Sequence, residues 1–209
     1  MPSTKERIMG VSAELFRRNG FTGTGLKEIV TSANAPFGSL YHFFPGGKDQ
    51  LAAEVIRSSG ATYLKLIEAV FDPAPNVVTA VKNFFAGAAE TLRATDFADA
   101  CPIATIALEV ASTNETLRKA TADVFESWIG ATADRFTAAG IPTGASRELA
   151  MSTLASLEGA FVLSRSLRST KPLEVAGTTA SAAVRAALSA RVSKRSGSAR
   201  RTETKARRS

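Results

Sequence analysis

Apolar residues recur along most of this chain at intervals of three and four. Leu26, Ile29, Val30 and Ala33 fall at i, i+3, i+4 and i+7, and Phe37, Leu40, Tyr41 and Phe44 repeat that spacing after a three-residue break. Each set forms one stripe on a helical period, the mark of an amphipathic helix. Ala35 precedes Pro36 and is biased away from the helical region, which ends the first helix. Pro36 suits the first turn of the second helix, where its missing N–H costs nothing. Similar stripes predict seven more helices. One runs near residues 4–19, with Ser3 and Glu6 as a capping box, Asn19 and Gly20 as its stop, and Ile8, Ser12, Leu15 and Phe16 as its inner face. The others cover about 47–71, 76–94, 102–112, 114–139, 145–168 and 172–192, each bounded by Pro, Gly or short polar stretches. Neither an alternating strand pattern of useful length nor an internal repeat is visible. The predicted fold class is all-α, with about nine helices.

The first pair of stripes carries the strongest functional signal. Two helices of about eight residues joined by so short a break suggest a helix-turn-helix, whose second helix enters the major groove of DNA. The second helix presents Gly38, Ser39, Tyr41 and His42, small and polar groups suited to approaching bases and phosphates. Lys48 follows at the start of the next helix, where unpaired N–H groups also favour an anion. The same spacing also fits a plain helical hairpin packed inside an all-α core.

Residues 1–60 resemble the DNA-binding domain of the TetR family of bacterial transcriptional repressors. The resemblance rests on Ala13, Leu15 and Phe16, on Gly20, Phe21 and Thr24, on Leu26, Ile29 and Ala33, on Gly38-Ser39-Leu40-Tyr41 with Phe44, and on Lys48 with Leu51. It implies an N-terminal three-helix DNA-binding domain over residues 1–48, with Thr24, Pro36, Phe37, Gly38, Ser39, Tyr41, His42 and Lys48 at the operator. Three departures stand out. Ala33-Asn34-Ala35 replaces the usual Ala-Gly-Val turn. Pro36-Phe37 replaces the usual polar-Lys pair, and Phe44-Pro45-Gly46-Gly47-Lys48 is one residue longer than the commonest form. No operator sequence transfers from a relative across these changes.

Composition narrows the class further. The chain has 209 residues, of which 44% are apolar, enough for a sizeable core. It lacks an apolar run long enough to span a membrane and an apolar signal segment. One cysteine excludes an internal disulfide and fits a reducing cytoplasm, the expected location. The net charge of +7 is unevenly spread: residues 1–60 carry +2, residues 61–192 carry −1, and residues 193–209 carry +6. That last segment has no apolar residue larger than alanine and is expected to be a disordered basic tail, either incidental or attracted to DNA phosphates. His42 is the one histidine, which removes a separate Ser-His-Asp triad and any multi-histidine metal site. No enzyme, cofactor or metal is expected.

Residues 49–192 are expected to bind an effector and to dimerise. Ala155 and Gly159 in the eighth helix, with Ala176, Ala180, Ala183 and Leu188 in the ninth, form small and apolar seams. Such a seam is buried either within one protomer or between two. The family resemblance implies a four-helix dimer bundle, whose two-fold symmetry matches a palindromic operator. The stretch Ala100–Val110 and the Pro45-Gly46-Gly47 turn resemble the LmrA/YxaF-like subgroup, which implies a hydrophobic, often aromatic effector. Phe97, Ile106, Phe125, Trp128 and Phe161 are expected to line its cavity, with Glu109 or Thr132 as polar groups. Glu109 and Glu158 lie in apolar helices, where each serves either a ligand or a salt bridge. Cys101 precedes Pro102 at a helix start whose dipole lowers a thiol pKa, although a buried, inert cysteine fits better, because no second thiol exists to resolve an oxidised one. The reading is a ligand-responsive repressor that binds a palindromic operator as a homodimer and is released by a small hydrophobic effector, with no membrane partner. The competing reading is a helical carrier that sequesters an apolar ligand.

Overall fold

The structure is a computed structural model that describes residues 2–98 and 101–206, with side chains described as far as residue 190. Among the described residues there are nine α-helices and no strand: α1 Thr4–Asn19, α2 Leu26–Ser32, α3 Phe37–Phe43, α4 Gly47–Phe71, α5 Val77–Ala94, α6 Pro102–Val110, α7 Glu115–Ala138, α8 Thr143–Leu167 and α9 Lys171–Ala206. The expected boundaries hold to within two residues except at the end of α9, which runs past residue 192. The expected basic tail falls where side chains, and finally residues 207–209, lie outside the described residues.

Side-chain caps explain several of the helix starts. At α1 the Ser3 hydroxyl accepts from the Glu6 N–H at 3.2 Å and the Glu6 carboxylate accepts from the Ser3 N–H at 2.6 Å. Asn76 and Asn114 cap α5 and α7 by accepting from the amides of Thr79 and Leu117. Each cap satisfies a helix-end donor that would otherwise need water.

The N-terminal three helices bury Ile8 and Phe16 of α1, Ile29, Val30 and Ala33 of α2, and Leu40 and Phe44 around α3. Burial of each large side chain stabilises by about 1.5–3 kcal/mol. The α2–α3 turn needs more than apolar contact. Asn34 has a left-handed φ of 47°, a conformation that asparagine tolerates better than most residues. Arg7 of α1 clamps this turn, donating from Nε to the Ala33 carbonyl at 3.1 Å and from Nη2 to the Asn34 carbonyl at 3.2 Å.

α4 leaves this unit and packs against α5, α6 and α7, while α7 and α9 flank α8 and α9 also lies along α5. Lys5–Glu54 at 2.8 Å ties α1 to α4, and the Asn114 amide donates to Asp49 at 2.8 Å, tying the α6–α7 turn to the first turn of α4. At Gly60 a Cβ would collide with the Val124 side chain, so α4 and α7 approach closely there.

Candidate functional site

Two sites and a connection between them emerge from the packing. The first is the outer face of α3. Its inner face is Leu40 with Phe43 and Phe44, so Phe37 and Tyr41 point outward, 50% and 49% exposed, with their rings 5.9 Å apart. The single stripe read from spacing therefore splits: Leu40 and Phe44 are buried, and Phe37 and Tyr41 stand on the outer face with the other residues expected at the operator. A seven-residue helix lying on two neighbours buries only a narrow face, and Leu40 and Phe44 fill it. Pro36, Gly38 and His42 are exposed beside them and Ser39 is half-buried.

Two expected DNA contacts stand elsewhere. Thr24 is buried, and its hydroxyl donates to the Gly20 carbonyl at 2.7 Å, stapling the α1–α2 loop. Lys48 is half-buried, with Nζ 4.3 Å from the centroid of the Phe21 ring. Burial lowers its ammonium pKa, and the nearby Glu109 and Asp49 carboxylates oppose that effect. Lys48, in the first turn of α4, therefore braces the α1–α2 loop through Phe21.

The second site is a cavity of about 320 Å³ among α4, α5, α7 and α8. Tyr63, Leu66, Ile67 and Val70 of α4, Phe84, Gly87, Ala88 and Thr91 of α5, and Leu154, Leu157, Glu158 and Phe161 of α8 wall it. In each helix these residues sit at i, i+3, i+4 and i+7. Trp128 closes the α7 side. Its indole N–H donates to the Gly60 carbonyl at 3.0 Å, and its ring lies 5.8 Å from Tyr63 and 5.7 Å from Phe125. The buried Cys101 sits at the N-cap of α6, its sulfur accepting from the Ala104 N–H at 3.4 Å. Burial pushes this thiol well above its ordinary pKa, as does the facing Glu158 carboxyl, so the expected dipole lowering loses to desolvation. Glu158 is itself raised from 4.5 to about 7, chiefly by burial, with a hydrogen bond from the thiol opposing the shift.

Of the expected lining residues, Trp128 and Phe161 face the cavity. Ile106 and Thr132 are buried in the core instead, and Phe125 packs behind Trp128. Phe97 adopts a left-handed turn, its ring beneath Arg168 and its carbonyl accepting from Arg165. The missed wall is α4, whose stripe at 63, 66, 67 and 70 was visible as periodicity but not as a cavity face. The acid inside the cavity is Glu158, between Leu157 and Phe161, one of the two acids that the sequence offered either to a ligand or to a salt bridge.

Glu109 does something else. Its carboxylate accepts from the Phe21 N–H at 3.1 Å and the Thr22 N–H at 2.7 Å, in the loop that leads into α2. Gly20 allows this approach: a Cβ there would overlap the carboxylate, and its φ of 74° is strained for other residues. α6 thus begins at the cavity, through Cys101, and ends on the helix-turn-helix, through Glu109.

Residues 8–55 match the family model described as "Bacterial regulatory proteins, tetR family". Residues 77–179 match "Transcriptional regulator LmrA/YxaF-like, C-terminal domain". An HTH-type transcriptional regulator of Mycobacterium tuberculosis (strain ATCC 25618 / H37Rv) is 33% identical over 84% of this chain and 91% of its own length. The chain belongs to the TetR family of transcriptional regulators. YxaF of Bacillus subtilis (strain 168) is 32% identical over 81% of this chain and 89% of its own. LmrA of the same strain is 29% identical over 81% and 90%. Among solved structures, the regulatory protein TetR from Rhodobacter sphaeroides superposes with a TM-score of 0.76 at 21% identity, covering 85% of this chain and 97% of that one. TetR regulators bind DNA and act as dimers. Among the described residues no helix is long and apolar enough to cross a membrane.

The expected dimer residues divide. Ala155, Gly159 and Ala183 are exposed, and Ala176 and Leu188 are half-buried. Ala180 is buried within the protomer, as are Leu173 and Val184. Those three face α5 and α8, so this half of the apolar seam is intramolecular core and Ala180 is corrected out of the interface.

Proposed function

We propose that this TetR regulator is a repressor that binds a palindromic operator as a homodimer and is released by a small hydrophobic, aromatic effector. The observation that carries this reading is the run of α6 from the cavity, at Cys101, to the α1–α2 loop, at Glu109. A ligand that separates α4 from α8 alters the position of Cys101, hence of α6, hence of the loop preceding α2. The effector acts only to the extent that it binds the released conformation more tightly. Residues 1–48 form the DNA-binding part, residues 49–192 bind effector and dimerise, and the protein acts in the cytoplasm. The exposed Phe37–Tyr41 pair supports direct DNA contact, with an aromatic edge suited to a thymine methyl group. Exposed Val162 and Leu163 of α8 and Val175 of α9, beside Ala155, Gly159 and Ala183, support a bundle interface there.

The test is a titration of planar aromatic compounds against the protein bound to its own upstream DNA, following Trp128 emission and DNA anisotropy together. Quenching with DNA release is the expected result. Quenching without release makes the protein a carrier, and absence of DNA binding removes the repressor reading.

A further inference from the structure

The cavity is chemically one-sided. Its wall is aromatic and aliphatic, with Tyr63, Phe84, Trp128 and Phe161 as the large surfaces. Its charged lining groups are both carboxyls: Glu158 inside, and the exposed Glu90 at the mouth. Among the described residues no lysine, arginine or histidine lines it, and no described ion pair includes Glu158.

We propose that this cavity selects an aromatic ligand bearing a protonated amine, which Glu158 receives as its counter-charge. The proposal rests on the reading of the cavity as the effector site and names the ligand class. A carboxylate in an apolar cavity loses hydration and regains it only from a donor or a cation. Among the described residues the donor to Glu158 is the Cys101 thiol, a weak one, and the carboxyl stands raised to about 7, chiefly by burial. An ammonium group supplies up to three strong donors and the opposite charge. The same ammonium gains from the faces of Trp128 and Tyr63, whose rings stand 5.8 Å apart on the adjoining wall. An anionic ligand meets Glu158 inside and Glu90 at the entrance, and none of the described lining residues is a cation that would offset either. A neutral aromatic fills the volume and leaves Glu158 as it was.

Three ligands on one ring test this by calorimetry with the full-length protein: 1-naphthylmethylamine, 1-naphthylmethanol and 1-naphthoate. The amine is expected to bind at least about ten-fold more tightly than the alcohol, and the carboxylate at least about ten-fold more weakly than it. Glu158→Gln is expected to bring the amine within about three-fold of the alcohol and to leave the alcohol unchanged. Glu90→Gln, at the mouth, is expected to preserve the ranking. The proposal is overturned if the alcohol or carboxylate matches the amine, if the amine preference survives Glu158→Gln, or if none of the three binds. Should Glu158→Gln unfold, the wild-type ranking decides by itself. DNA anisotropy in the same titrations separates the two readings. An amine preference without DNA release keeps the ligand class and removes the repressor. DNA release with no amine preference keeps the repressor and removes the ligand class.

Discussion

Glu109→Ala cuts the side chain by which α6 holds the α1–α2 loop. Two charge-assisted hydrogen bonds are lost, from the amides of Phe21 at 3.1 Å and Thr22 at 2.7 Å. Fully buried bonds of this kind contribute about 1.5–3 kcal/mol each. Here Thr22 is exposed and Glu109 half-buried, so water replaces part of each bond and about 1 kcal/mol apiece is the better figure. Against that, Glu109 is the penultimate residue of α6, the negative end of the helix dipole, and removing its charge returns about 0.3–1 kcal/mol. The net cost is about 1–2 kcal/mol, a fall in Tm of about 2–8 °C for a chain of this size. An acid retained at a helix C-terminus against the local preference points to a tertiary purpose. If that purpose is transmission, the variant binds effector with unchanged affinity by Trp128 quenching, yet the effector shifts its operator affinity less. Coupling is reciprocal, so bound DNA should also weaken effector binding less than in the wild type. Thermal unfolding by circular dichroism and effector titrations with and without operator measure both parts. A lowered Tm with wild-type coupling would show that Glu109 is a brace and not a link, and refute the route through α6.

Phe37→Ala and Tyr41→Ala are expected to weaken operator binding by about 1–3 kcal/mol each with little change in Tm, since both rings are half exposed; unchanged anisotropy curves would remove them from the interface. Leu163→Glu on the outward face of α8, 55% exposed, is expected to give a monomer in sedimentation that loses operator binding, and an intact dimer would relocate the interface. Glu158→Gln also bears on stability. The folded carboxyl titrates near 7 and the unfolded one near 4.5, so the folded chain holds more protons between those values and wild-type stability declines as pH rises through them. The variant is therefore expected to match the wild type near pH 4.5 and exceed it by about 1–3 kcal/mol at pH 8; denaturant midpoints that stay parallel across that range would disprove the assignment.

What the sequence determined by itself is local. Caps such as Ser3 with Glu6, stops such as Gly20 and the stripes of α1 and α2 lie within one or two turns of each other, and the family resemblance was legible in the first 60 residues. A 3.6-residue stripe says that a face is buried, and not against what. The spacing put Phe37, Leu40, Tyr41 and Phe44 in one stripe, and only the tertiary structure divided it, burying Leu40 and Phe44 and leaving Phe37 and Tyr41 outside. It turned Thr24 inward to the Gly20 carbonyl, and it sent Leu173, Ala180 and Val184 into the protomer while leaving Ala183 outside. Glu109 was left between a ligand and a salt bridge because its actual partners, two backbone amides, lie 87 and 88 residues away in the chain. The cavity was misplaced for the same reason. Stripes on α4, α5 and α8 were each consistent with solid packing, and whether three apolar faces meet or stand apart depends on helix separations that no local spacing encodes.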